Sequence, residues 1–207
     1  MLTQENSPTV PRFAKAIKVR TRAEAFLGDS PALINNVLTI PCQDLGLGLA
    51  FDQTESGLRG GSARLFKDPE IWLDTEQAFI LTQLGRPIAT VGFYEGADYF
   101  RIQQIQGVAG AKILYQLGRW EYALVKTVEI YAQATQINEV QVLPAKNNAW
   151  AKDYSRRLRE FGGGSIKGLS PEKAKKRYDD VAVALGYEYD EHKEVYLKRW
   201  PFSSAVC

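Results

Sequence analysis

The chain has 207 residues, 45% of them hydrophobic and 24% charged, a balance that excludes a largely disordered polypeptide and suffices for one substantial core. A formal net charge of +2 is too even to argue for a nucleic-acid-binding surface. No apolar run approaches the roughly 20 residues that span a bilayer, the N-terminus has no apolar signal core, and Cys42 and Cys207 form neither a disulfide framework nor a metal-ligand motif, so a reducing, cytoplasmic setting is expected.

Residues 1–30, with Pro8, Pro11 and scattered charges, read as an arm that is either loose or docked by its neighbours, and 31–200 read as a single domain. From Asn36 to Phe51 a short strand is expected before irregular structure, because Pro41 breaks the run and Gly46 and Gly48 weaken its continuation. Ser56 to Arg64 is glycine-rich without the lysine and hydroxyl residue of a P-loop, and reads as a loop. The segments AFILTQL, PIATVGFYEG and DYFRIQQIQGV are rich in β-branched and aromatic residues and predict a three-stranded antiparallel meander.

The hydrophobic period then lengthens to that of a helix, with Ile113, Leu117, Trp120, Leu124, Val128 and Tyr131 on one stripe. Gly118 allows either one bent helix or a turn before a helix that starts near Arg119. INEVQVLPA alternates as a strand up to Pro144 and completes a β-α-β unit. A polar, basic insertion at about 151–169 contains Gly162-Gly163-Gly164 and is expected to be a mobile excursion. Ser170 as N-cap and Pro171 as first residue open a helix with an apolar stripe of Ala174, Tyr178, Val181 and Leu185, stopped by Gly186. Tyr187 to Tyr189 and Val195 to Leu197 flank a polar turn and predict a closing hairpin, with 201–207 as a tail.

This order of elements resembles the GNAT superfamily of N-acetyltransferases, and Gln104-Ile105-Gln106-Gly107-Val108-Ala109 looks like that superfamily's pyrophosphate loop at the end of its fourth strand. The resemblance covers about residues 70–200, and extends to Asn147 after the following strand and to the sequence LGYEYDEHKEVYLKRW at the close. It implies an α/β fold: a GNAT-like mixed, mainly antiparallel sheet flanked by helices, with a C-terminal β-hairpin. It further implies that acetyl-CoA or a related acyl-CoA is the co-substrate, and that an unknown amine, possibly on a protein, is the acceptor. Gln104, Gly107, Val108, Ala109, Gly110, Ala111, Lys112 and Asn147 become the candidate coenzyme contacts.

The chemistry suits those residue types, since a dianionic pyrophosphate needs several backbone N–H donors converging at a turn whose small side chains allow close approach. Two features depart from the family: Gly118 leaves room for an extra turn after the loop, and the insertion separates Asn147 from the last helix. The family's frequent catalytic tyrosine has no counterpart, because Ala182 stands at its place; Tyr178, one turn earlier, reads as core in preference to proton donor. Glu95 and Asp98 read as solvated turn carboxylates rather than general bases, and His192 as a surface residue, so catalytic residues stay unassigned and no metal site is expected. Two other readings stay open: a catalytically inactive binding or assembly protein of the same fold, and, as a lesser alternative, an RNA-directed protein using the basic insertion.

Overall fold

A computed structural model describes residues 12–28, 45–53, 63–64, 72–73, 75–108, 110–149, 151–152 and 169–201. The expected excursion after Lys152 and the tail fall outside the described residues, as do most of the glycine-rich stretch and both cysteines. The elements run α1 (Arg12–Leu27), β1 (Leu47–Gln53), β2 (Ala63–Arg64), β3 (Trp72–Leu73), β4 (Gln77–Gln83), β5 (Arg86–Glu95), β6 (Tyr99–Gly107), α2 (Ile113–Leu117), α3 (Trp120–Ala134), β7 (Glu139–Val142), a single 3₁₀ turn (Ala145–Asn147), α4 (Pro171–Ala184), β8 (Glu188–Asp190) and β9 (Val195–Arg199). Among the described residues no helix is long and apolar enough to cross a membrane.

Seven strands form one mixed sheet in the order β1-β4-β5-β6-β7-β9-β8, flanked by helices, with β2 and β3 as a separate pair. Neighbours are antiparallel except β6 and β7, which run parallel. That one parallel step stems from the chain between them: two parallel neighbours need a crossover, and α2 and α3 supply it. The predicted stripe is the buried one, since Ile113, Leu117, Trp120, Leu124, Val128 and Tyr131 all pack in the core. Gly118, with φ +65°, separates α2 from α3, so the crossover is a short helix and a turn before the main helix rather than one bent helix.

Where α3 crosses the sheet, aromatic rings fill the layer. Phe79, Phe93 and Phe100 lie 5.2, 6.2 and 5.4 Å, centroid to centroid, from Tyr131, and Phe26 brings α1 onto the same ring at 5.1 Å. Burying such a side chain contributes about 1.5–3 kcal/mol, so this cluster anchors the sheet to α3. The N-terminal stretch, left open between loose and docked, contains a helix whose Ala23 is fully buried.

The β4–β5 turn is made by Leu84 and Gly85, both at positive φ (50° and 75°), the two-residue geometry that matches strand twist. Strand β1 differs from expectation, lying on Leu47–Gln53 across the glycines rather than before them; Gly46 takes φ +61° just ahead of it, and every residue of β1 finds a partner on β4. Helix α4 begins as read, with Ser170 Oγ accepting from the Lys173 N–H, and Gly186 ends it at φ +78°. Leu185 is a correction: it caps the helix half-buried instead of completing the buried stripe of Ala174, Tyr178 and Val181.

Candidate functional site

The pairing of β6 changes halfway along it. Tyr99 to Ile102 pair with Glu139 to Val142, and the Leu143 N–H adds a last bond of 2.9 Å to the Ile102 carbonyl. Pro144 has no N–H to continue, and the chain turns away through the 3₁₀ turn. At the same level the register with β5 jumps from Phe93↔Ile102 to Gly92↔Gln104, so Gln103 is the extra residue of a β-bulge. A bulge rotates the strand beyond it, and here Gln103–Gly107 keeps β5 on one side and loses β7 on the other.

Side chains take up the backbone groups on that edge. The Ile105 N–H donates to Tyr178 Oη at 2.9 Å, and Tyr178 Oη donates to the Gln103 carbonyl at 3.4 Å. Asn148 Nδ2 donates to the same carbonyl at 3.3 Å, and Arg177 Nη1 reaches the Ile105 carbonyl at 3.3 Å. Asn148 is in turn fixed by its Oδ1, which accepts from the Ala151 N–H. Arg177 also lies over the Trp120 ring at 5.4 Å and faces Glu121 at 4.0 Å. Burial pushes the Glu121 carboxyl above its ordinary pKa, against the opposing pull of its own backbone hydrogen bond and Arg177. These contacts link the strand edge to the start of α3.

Beyond the edge lies the predicted loop, and its residues divide. Gln104 turns into the sheet, 3% exposed, with Nε2 on Gln106 Oε1 at 2.8 Å and its side chain against Gly92. A Cβ on Gly107 would come within 2.8 Å of Leu114 and 3.1 Å of Trp120, so packing beneath the loop accounts for this glycine. The Val108 N–H donates to the carbonyl of Ile88, itself the extra residue of a bulge in β5, and the Ala111 N–H closes a turn onto the Val108 carbonyl. Gly110 is exposed at φ +81° with open space where a side chain would be, and Lys112 is exposed at the start of α2. Ala109 lies outside the described residues.

Asn147 is turned toward the closing hairpin, its Nδ2 3.4 Å from the Glu194 carbonyl. The asparagine on the strand edge is the next residue, Asn148, which is 1% exposed. Sequence reading missed Asn148 and Arg177 and left Tyr178 in the core. One signal was available: a buried tyrosine needs a partner for its hydroxyl, and an apolar stripe supplies none.

Glu95 is another correction, because it ends β5 in a cluster rather than standing solvated in a turn. Its Oε2 accepts from Arg22 Nη2 and Gln77 Nε2, each at 3.1 Å, and Arg22 Nε reaches Tyr131 Oη at 3.1 Å. Burial raises the Tyr131 hydroxyl above its usual pKa despite Arg22 beside it. Asp98 and His192 are exposed, and the His192 N–H donates to Asp190 Oδ1 at 2.9 Å within the hairpin turn.

The arrangement offers an extended strand edge with alternating acceptor and donor groups, and then a small-residue loop with a lysine at its end. Such an edge suits an extended chain bearing amides, and such a loop suits an anion. No family model matches the chain, and no curated protein matches it.

Proposed function

We propose that the chain is a GNAT-like protein that binds acetyl-CoA or a related acyl-CoA and transfers the acyl group directly to an amine. The observation that carries the reading is the parting of β6 from β7 at the Gln103 bulge, with the glycine loop at the end of the freed half. The mixed sheet with one parallel step, the crossover helices and the closing hairpin support it. A cytoplasmic setting belongs to the same proposal.

In such a transfer a neutral amine attacks the thioester carbonyl, a C–N bond forms, the C–S bond breaks, the amine loses a proton and the coenzyme leaves as its thiol. Gly110 and Lys112 are the loop residues suited to the coenzyme's phosphates, since the Val108 and Ala111 N–H groups already have acceptors. The edge groups of Gln103 and Ile105 are suited to the amide-bearing tail. The amine acceptor and the group that takes its proton stay unassigned.

One observation favours a second reading, a binding or assembly protein without catalysis. The strand edge is held by the chain's own Tyr178, Arg177 and Asn148, and Ala182 stands where the family often has a tyrosine. Titration calorimetry with acetyl-CoA separates the two. The enzyme reading expects micromolar binding that Lys112→Glu weakens by tenfold or so, as an opposed charge beside phosphate costs on the order of 1 kcal/mol. No heat at millimolar acetyl-CoA, with a protein partner of defined identity bound instead, would favour the second reading.

A further inference from the structure

We infer that Tyr178 is a displaceable latch on the coenzyme site: its hydroxyl occupies the strand edge in the free protein and gives way to the amides of the incoming chain. The inference rests on the acyl-CoA reading and concerns how that site is regulated. Three backbone groups on the freed half of β6 point outward: the Gln103 carbonyl, the Ile105 N–H and the Ile105 carbonyl. A neighbouring strand would meet such a row with its own amides. Here α4 meets it with two consecutive side chains, and Asn148 completes the set.

A tyrosine hydroxyl suits the latch because it both donates and accepts. It accepts from the Ile105 N–H and donates to the Gln103 carbonyl, the pair of functions that one secondary amide provides. An extended amide chain laid on this edge therefore competes with Tyr178 for the same two groups. The competition reaches the loop through Arg177, which lies on the Trp120 ring that also covers Gly107. Opening the edge thus loosens the packing under the loop, and closing it tightens both.

The test compares coenzyme A with adenosine bisphosphate, its nucleotide half, which carries phosphates and no amide. Both are titrated into the full chain and into Tyr178→Phe, which keeps the ring in the core and removes the hydroxyl. A ligand that displaces the hydroxyl loses that bond in the parent and not in the variant. Coenzyme A should accordingly bind Tyr178→Phe about fivefold tighter, the factor that one net hydrogen bond of about 1 kcal/mol represents, while adenosine bisphosphate binds both alike.

Equal or weaker coenzyme A binding by the variant, with adenosine bisphosphate unchanged, overturns the latch and leaves the acyl-CoA reading standing. Failure of both ligands to bind either protein at millimolar concentration overturns that reading and the latch with it. If Tyr178→Phe melts far below the parent, Arg177→Met supplies the same comparison, since it frees the Ile105 carbonyl and keeps an aliphatic stem on Trp120.

Discussion

The two halves of β6 are built by different means. From Tyr99 to Ile102 the strand has strands on both sides and Phe100 stacks on Tyr131, so backbone ladders and apolar burial hold it together. From Gln103 to Gly107 one ladder is replaced by three polar side chains from α4 and the turn after β7. A ladder between strands exchanges only with global unfolding, whereas bonds made by side chains open with a rotamer change. The difference teaches where a ligand can be admitted: at the half whose partners can leave without the sheet coming apart.

The largest effect that sharpens the contrast is expected at Phe100, fully buried in the paired half. Phe100→Ala should cost about 3–5 kcal/mol in denaturant unfolding. In the other half, Asn148→Ala removes the cap on the Gln103 carbonyl and should cost about 1–2 kcal/mol. Equal losses would mean that both halves belong to one rigid core, and the contrast would fail.

Next comes a pH dependence at the start of β7. Glu139, 6% exposed, accepts from Gln141, from Arg199 Nε at 2.6 Å and from Lys193 Nζ at 3.1 Å. Burial alone would raise its carboxyl, but these three donors outweigh it and hold the pKa below the ordinary glutamate value. A carboxylate depressed in the folded state contributes stability that is fully present above its unfolded pKa and is lost as pH falls through the folded one. Urea midpoints should therefore drop between the ordinary glutamate pKa and the lower folded value, and Glu139→Gln should flatten that acid limb. An unaltered limb would remove Glu139 from the account of the paired half. The smallest effect is expected on the solvent side of α4, where exposed Lys176→Ala should change stability by no more than about 0.5 kcal/mol.

The sheet was legible in the sequence wherever one local signal decided. Alternation in AFILTQL and PIATVGFYEG, the helical stripe from Ile113 to Tyr131, and the Ser170-Pro171 start with Gly186 as stop each rest on residues close together in the chain. The edge of β6 was not legible in that way. Its three caps lie 45, 73 and 72 positions from the groups they meet, and nothing local in an Asn-Asn pair says which amide turns inward. Strand β1 was misplaced because glycines weaken a strand by propensity, while pairing with β4 across its whole length overrides that preference. Glu95 escaped for the same reason as Asn148: its partner Arg22 stands 73 positions away on a helix the sequence did not announce.

Amide hydrogen exchange with and without acetyl-CoA tests the central claim most directly, because it reads the two halves of β6 separately. Added acetyl-CoA should slow exchange at Ile105 and through Gly110 to Lys112, and leave Phe100 to Ile102 as slow as before. Protection confined to another part of the chain, or no change anywhere at saturating acetyl-CoA, would contradict the assignment of the freed half of β6 as the coenzyme site.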